Sequence, residues 1–556
     1  MSVSSPPTRL SVYADGDVIF KANLVLFVLT IAAVASRAQA AEQAADVGKT
    51  APPGTSGAAP AAVDPQFRID EYRVLGNSVL AATAIETAVY PFLGPAKTIH
   101  DVEAARKALE DAYHDAGFGT VFVDIPEQEV EGGVVRLRVT EGKLRAARVG
   151  GTRYFSNRQI RNSLPSATEN SVPNLPSLQN ELTKLNMQTP DRAVVPVLKA
   201  GPTPGTVDLA LKVDDHLPLH GSVELNNQNT PDTESLRTLA SLSYDDMFGR
   251  LDSLSLQYQF APQERREFGV FVGSYTLHLN DEGTRWSFLY IDSSSNIATI
   301  GALAVLGKGK IIGTRLSQPI TLTPESSQSF TAGVDYKDFA QNIVLDPNST
   351  LKTPIKYLNF SAGYAGAWRE DIFQCGFDST LNFGIRGVVN RDQQFADKRF
   401  GASANYAYLR SNASFGVRLP ASFTAIVRLS GQFAPAPVIS NEQYTIGGVD
   451  TVRGYREAEA LGDTGIKSTL QLGTPQLKLK ALNLDSFVFY DFGRVNTILP
   501  LSGQPSDEEL RSAGAGMNLN FLNHLMGAFT WAYPLAATAQ TRVHDARLLF
   551  YLRGSW

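Results

Sequence analysis

The stretch FTAIVRLSGQF, Phe423 to Phe433, sets Phe423, Ala425, Val427, Leu429, Gly431 and Phe433 on one face of an extended chain. Thr424, Arg428, Ser430 and Gln432 fall on the other. Side chains of a strand alternate between its two faces, so this spacing is a strand signal and not a helix signal. YLNFSAGYAGAW repeats it, with Leu358, Phe360, Tyr364 and Trp368 against Asn359, Ser361 and Gly363. RLDSLSLQYQF sets Leu254, Leu256, Tyr258 and Phe260 against Ser253, Ser255, Gln257 and Gln259. A sandwich would also alternate, burying one face and wetting the other. Here the polar face is small and uncharged with an occasional arginine, as a wet lumen requires, and the apolar face ends repeatedly in aromatics, as interface girdles do. From about His216 the pattern runs unbroken to Trp556, too long for one sandwich. The expected fold class is a transmembrane β-barrel over 216–556, holding about 16 antiparallel strands of about 10 residues.

The chain's end fits that reading. In ARLLFYLRGSW, Leu548, Phe550, Leu552 and Gly554 share a face, with Arg547 and Arg553 opposite and Trp556 last. An apolar strand closing on an aromatic resembles the terminal signal of bacterial outer-membrane barrels, so Phe550, Leu552 and Trp556 are expected to act in barrel assembly. At the other end, Lys21 precedes the apolar run Leu24–Ala35, and SRAQA follows as a small-residue cleavage site ending at Ala40. That run is shorter than the ~20 residues of a spanning helix, so residues 1–40 are expected to be a signal peptide. The residues ahead of Lys21 make an unusually long leader. Residues 41–66, rich in Ala, Pro and Gly, lack any period and read as a flexible linker.

Between linker and barrel lies a repeat. RVLGN (Arg73–Asn77) recurs as RVGGT (Arg148–Thr152), so that Arg73 and Arg148, Val74 and Val149, Gly76 and Gly151, and Ile85 and Ile160 keep one spacing. In the first copy DVEAARKALEDAYHDAG predicts a helix capped by Asp101, with Val102, Ala105, Leu109, Tyr113 and Ala116 on one face and Gly117 past its end. TVFVDI and VVRLRV then predict two strands around a turn. The second copy offers LPSLQNELTKLNM, AVVPVLKAG and TVDLALKVDD in the same order. Two β-α-α-β-β modules, 67–142 and 143–215, follow.

Motifs for chemistry are weak. GALAVLGKG (Gly301–Gly309) puts five residues between its glycines where a phosphate loop needs four, and Gly309 stands where Ser or Thr would hold magnesium. His216 and His220 in HLPLH have a helical metal spacing, but Pro218 between them and flanking strands place the two some 13 Å apart. The single cysteine, Cys375, excludes an intrachain disulfide and a Cys-based zinc site. No esterase elbow, metalloprotease helix or Ser/Lys set is present, so no enzyme activity, cofactor or metal is expected. Charged residues make up 19% of the chain and the net charge is −5, which leaves no polybasic surface for nucleic acid. One acid stands out: in SFVFYDFGRV, Asp491 shares a face with Phe489 and Gly493, while Val488, Tyr490 and Phe492 take the other. A charge on the lipid side is costly, so Asp491 is expected in the lumen.

The signal peptide, the tandem modules, the barrel, VRGY (Val452–Tyr455) and YDFG (Tyr490–Gly493) together resemble the TpsB family, outer-membrane transporters of two-partner secretion. The modules resemble its POTRA domains, and IPEQEVEGGVVRLRVTEG (Ile125–Gly142) is similar to the end of the first. The resemblance spans about Phe67 to Trp556. It implies a 16-stranded barrel whose sixth extracellular loop, around 440–466, folds into the lumen. The tip Val452, Arg453, Gly454 and Tyr455 would then place Arg453 against Asp491 beside Gly493. It implies periplasmic POTRA domains that capture an unfolded TpsA-like exoprotein, an adhesin or haemolysin, by β-augmentation. It further implies insertion by the barrel-assembly machinery, a belt of outer-membrane lipid and a monomeric state. Family members often carry an N-terminal plug helix. Here Pro52, Pro53, Gly54, Gly57 and Pro60 interrupt the linker, so gating is expected to rest on the inserted loop.

Two other functions fit a barrel. A barrel-assembly factor of the same superfamily usually carries five POTRA modules, and a passive porin carries none. The tandem repeat favours protein secretion over both.

Overall fold

The computed structural model describes residues 65–556 except 232, 264–268, 281, 296, 301–302, 341 and 347–348. The expected signal peptide, 1–40, and nearly all of the expected linker, 41–66, lie outside the described residues. From Leu219 onward the chain forms a closed antiparallel barrel of 16 strands, each paired to its neighbours in sequence. Strand lengths run from 8 residues in Leu219–Asn226 to 15 in Leu482–Asn496. One wall strand is interrupted: Thr464–Gly473 and Leu477–Leu479 pair in turn with Leu482–Asn496. Closure comes where Arg547–Ser555 meets Leu219–Asn226, in register from Tyr551 opposite Asn226 to Ser555 opposite Ser222.

Alternation sorts the wall as the sequence predicts. Phe423, Val427, Leu429 and Phe433 point outward and are exposed on the isolated protein, the surface that lipid covers in a membrane. Gln432 is buried on the inner side. So is Ile426, an apolar residue on an otherwise polar face. Asp335, Lys337, Asn359, Asn382 and Asp491 are likewise buried inside. The two ends of the barrel differ. At one end strands join through short turns such as 248–251 and 522–524, and at the other through long connections, among them 384–406 and 434–463. The N-terminal modules enter at the short-turn end, the periplasmic end of an outer-membrane barrel. Within GALAVLGKG, Leu303–Leu306 pairs with Ile297–Ile300 in a long-loop hairpin, and Gly309 begins the wall strand Gly309–Leu322.

The modules share one sheet plan. In the first, Val134–Glu141 is central, parallel to Glu71–Leu75 and antiparallel to Val121–Asp124. In the second, Thr206–Asp215 is central, parallel to Lys143–Gly150 and antiparallel to Arg192–Ala200. The repeated glycine has a physical reason. Gly76 and Gly151 have φ of +94° and +99°, and a Cβ there would sit 2.4 Å from the Val139 carbonyl oxygen and 2.3 Å from that of Val213. Each chain therefore crosses its own central strand at a point that admits no side chain.

Helix Ile99–Asp115 buries Val102, Ala105, Leu109 and Tyr113, side chains worth roughly 1.5–3 kcal/mol each where fully apolar. Two details differ from expectation. Its N-cap is Thr98, and Asp101 is the third residue of a capping box, accepting from Thr98 N–H at 2.8 Å. Ala116, the C-cap, is exposed, since the helix has already ended. In the second module helix Leu175–Met187 buries Leu178, Leu182 and Leu185 and is capped by Asn174.

Candidate functional site: the loop inside the lumen

The connection 434–463 turns inward instead of standing on the outer rim. Its arms pair as a short hairpin, Tyr444–Ile446 against Ala460–Gly462. Tyr444, Ile446, Val452, Tyr455 and Ala460 pack with Val495 and Leu510 of the inner wall. An apolar cluster inside a polar barrel gives the loop its own small core and removes that surface from lumen water.

At the tip, Arg453 lies across Asp491. Nε donates to Oδ2 at 2.7 Å and Nη2 to Oδ1 at 2.8 Å, a two-pronged pair, and Arg453 N–H adds a third bond to Oδ2 at 3.1 Å. Nη1 donates to Gln471 Oε1 at 3.1 Å. Asp491 is wholly buried and Arg453 nearly so, which makes this a desolvated pair. Beneath the guanidinium lies an aromatic floor, its Cζ 3.4 Å from the Phe489 ring centroid and 5.8 Å from that of Phe487. The planar fork suits both contacts, bidentate on one side and stacked on the other.

The other site residues meet the same wall. Gly493 receives the loop directly: a Cβ there would lie 2.8 Å from Val452 Cγ2. Gly454, at φ +95°, turns the chain towards Ala532 and Pro534. The Tyr455 hydroxyl donates to the Ala536 carbonyl at 2.8 Å and accepts from Ala536 N–H at 3.1 Å. So the tip reaches consecutive strands, from Thr464–Gly473 to Leu525–Pro534.

Several partners escape a sequence reading. Gln471 and Phe487 carry no motif, and Phe489 entered only as an inward-facing residue. The aromatic floor depends on Gly516 and Gly514, where a Cβ would lie 2.3 Å from Phe487 Cζ and 2.6 Å from Phe489 Cζ. Two phenylalanines facing a Gly-Ala-Gly stretch across a strand pair would have been the signal. Below the tip, Glu457 accepts from Val449 N–H at 2.8 Å, and Glu459 accepts from Arg456 N–H at 2.7 Å. These acids hold the turn that presents Arg453.

Elsewhere, Trp556 exchanges backbone hydrogen bonds with Gly221, both at 3.1 Å, and its ring covers that glycine at the closing seam. Leu552 is exposed on the outer face, and Phe550 stacks on Phe529 with centroids 6.5 Å apart. The seam also carries Arg553 Nε on Glu224 Oε2 at 2.8 Å. His220 does not converge with His216; it approaches Asp191 at 3.0 Å and Asp245 at 3.8 Å, joining the second module to the barrel base. At the same junction Asp215 accepts backbone hydrogen bonds from Arg153, Tyr154 and Phe155 at 2.9–3.1 Å. Burial acts to raise its pKa, but these bonds outweigh it and hold the carboxyl below its ordinary value.

Comparison with known proteins places this geometry. Residues 205–521 match the family described as haemolysin secretion/activation protein ShlB/FhaC/HecB, and 67–142 match the ShlB-type POTRA domain. The heme/hemopexin transporter protein HuxB of Haemophilus influenzae strain 86-028NP is 22% identical, over 82% of this chain and 81% of its own. The outer membrane transporter CdiB of Dickeya dadantii is 24% identical, over 72% of this chain and 71% of its own. Among solved structures, CdiB from Escherichia coli superposes with a TM-score of 0.62 at 19% identity, covering 90% of this chain and 93% of that one. BamA from Haemophilus ducreyi lacking POTRA domains 1–3 gives 0.53 at 14% identity, covering 88% and all of that chain, and so shares the fold. The chain belongs to the ShlB/FhaC/HecB family, the outer-membrane transporters of two-partner secretion, with its barrel in the outer membrane and its POTRA region in the periplasm.

Proposed function

We propose that this chain captures one unfolded exoprotein in the periplasm and passes it outward through the barrel, with no chemistry of its own. The observation that carries the reading is the conjunction of tandem periplasmic modules with a loop held inside the lumen at Arg453 and Asp491. A passive pore has no use for the modules, and a pore that must pass a polypeptide has use for a removable plug. Each module has a sheet edge, Val121–Asp124 in the first and Arg192–Ala200 in the second. Such an edge can receive an extended client by main-chain hydrogen bonds, which tolerate many sequences. The client class we assign is a large secreted adhesin or haemolysin that folds only beyond the membrane, so that its folding makes transport directional. Boundaries of 67–142 and 143–215 for the modules and 216–556 for the barrel follow from the same reading. In it Arg453 and Asp491 position the loop, and Phe550, Leu552 and Trp556 mark the chain for insertion by the barrel-assembly machinery as a monomer.

The test is export of the partner from cells carrying the chain with residues 67–215 removed. The reading expects a folded barrel in the outer membrane and a client held in the periplasm. Unchanged export would refute it. A fall in the amounts of unrelated outer-membrane barrels would point to an assembly factor instead.

A further inference from the structure

The tip is not the only place where buried charge fixes the loop. At its stem, where the chain leaves and rejoins the wall, stand Glu442 and Asp463, both buried. Glu442 Oε1 accepts from Lys337 Nζ and from Tyr357 Oη, each at 2.5 Å, and Oε2 accepts from Tyr408 Oη at 2.6 Å. Those donors come from three different wall strands, Ser326–Phe339, Ile355–Arg369 and Ala407–Arg418, all near their long-loop ends. Asp463 Oδ2 accepts from Arg399 Nη2 at 2.6 Å and from Ile498 N–H at 2.7 Å, and Oδ1 accepts from Val438 N–H at 3.0 Å. It therefore ties the stem to the neighbouring loops 384–406 and 497–506. Gln432 Nε2, on the adjoining wall strand, lies 3.0 Å from the carbonyl oxygens of both Glu442 and Asp463.

The sign of charge is reversed between the two places. At the tip the loop brings the cation and the wall the acid; at the stem the loop brings two acids and its surroundings bring Lys337 and Arg399. Among the described residues no hydrogen bond or ion pair runs directly between Arg453 or Asp491 and Glu442 or Asp463. The two places meet only through intermediates such as Arg410, which lies over the Tyr408 and Tyr444 rings. We infer that Glu442 and Asp463 are a second anchor, and that the loop leaves the lumen only when stem and tip are both released. This deepens the regulation of the proposed transport and rests on that reading of the loop. Glu442 is a positioning residue: it acts on passage through the loop and touches no client.

The experiment follows the loop directly and needs no client. In a Cys375→Ser background, Thr451→Cys beside the tip reports by its rate of reaction with a membrane-impermeant maleimide added to intact cells. Arg453→Ala alone is expected to raise that rate by less than about threefold. Adding Lys337→Met with Glu442→Gln removes one of the two stem ion pairs as a unit, so that neither member is left charged without the other, and leaves Asp463 with Arg399. The combined variant is expected to label at least about tenfold faster than Arg453→Ala alone, the factor that ~1.4 kcal/mol represents. Equal rates in the two would overturn the anchor. If the combined variant fails to reach the heat-modifiable folded form, Tyr408→Phe with Arg453→Ala removes only one of Glu442's bonds. That pair is expected to label about threefold faster than Arg453→Ala, on the same scale, and no increase would overturn the anchor. A partner whose export did not depend on this chain would refute the transport reading and leave the labelling result standing.

Discussion

Replacing Asp491 by Ala leaves the Arg453 guanidinium buried over Phe489 with Gln471 as its remaining side-chain partner. Three hydrogen bonds disappear, two of them charge to charge. Bonds to charged groups contribute about 1.5–3 kcal/mol each, and breaking one member of a buried pair costs about 3–5 kcal/mol. Part of that cost is the stranded charge and not the pair, so the single variant overstates the interaction. A double-mutant cycle of Arg453→Ala, Asp491→Ala and both together separates the two. The two charged bonds, less the desolvation both groups carry, set the expected coupling at about 2–4 kcal/mol. It is read from equilibrium urea unfolding of the protein refolded into lipid vesicles. The double variant should be more stable than the two single losses summed would allow. A coupling below about 0.5 kcal/mol, the limit at which independent sites add, would refute the claim that this pair pins the loop.

Arg453→Lys should behave nearly as Arg453→Ala in that cycle, because an ammonium offers neither the fork nor the flat face over Phe489; recovery of most of the coupling would count against the stacking. Gly493→Val should dislodge the tip, since even its Cβ would lie 2.8 Å from Val452 Cγ2, while the barrel still folds; Cys-labelling at Thr451→Cys reads the displacement. Gly151→Ala should destabilise the second module by at least about 1–3 kcal/mol, the cost of a strained backbone, before the approach to the Val213 carbonyl is counted; limited proteolysis of the module measures it. The lowered pKa of Asp215 stabilises the second module above the unfolded-state value of about 3.9. That stability is lost as pH falls through the lower folded value, and Asp215→Asn should flatten the dependence, read by the module's melting between pH 5 and about pH 2.

The barrel was legible because its physics leaves one solution: lipid on one face and water on the other force a period of two, and FTAIVRLSGQF shows it in one strand. The repeat was legible because Gly76 and Gly151 answer the same steric demand against Val139 and Val213. Asp491 could be placed in the lumen by alternation alone, whereas its pairing with Arg453, 38 residues away in the chain, came only from the family resemblance. The stem was hidden for a different reason. Lys337, Tyr357 and Tyr408 sit on strands far from Glu442 in sequence, and a buried acid within SNEQ looks like any loop acid until the barrel closes. The Thr98 cap was missed because either Thr98 or Asp101 can begin a helix, and the capping box uses both.

The central claim, that a pinned loop inside this barrel governs passage of a secreted partner, is tested most directly by Arg453→Ala in cells that make the partner. Client in the medium should fall by at least about tenfold, the size of effect that ~1.4 kcal/mol of lost positioning gives, while the amount of folded barrel in the outer membrane is unchanged. Normal export by a fully inserted Arg453→Ala barrel would contradict it.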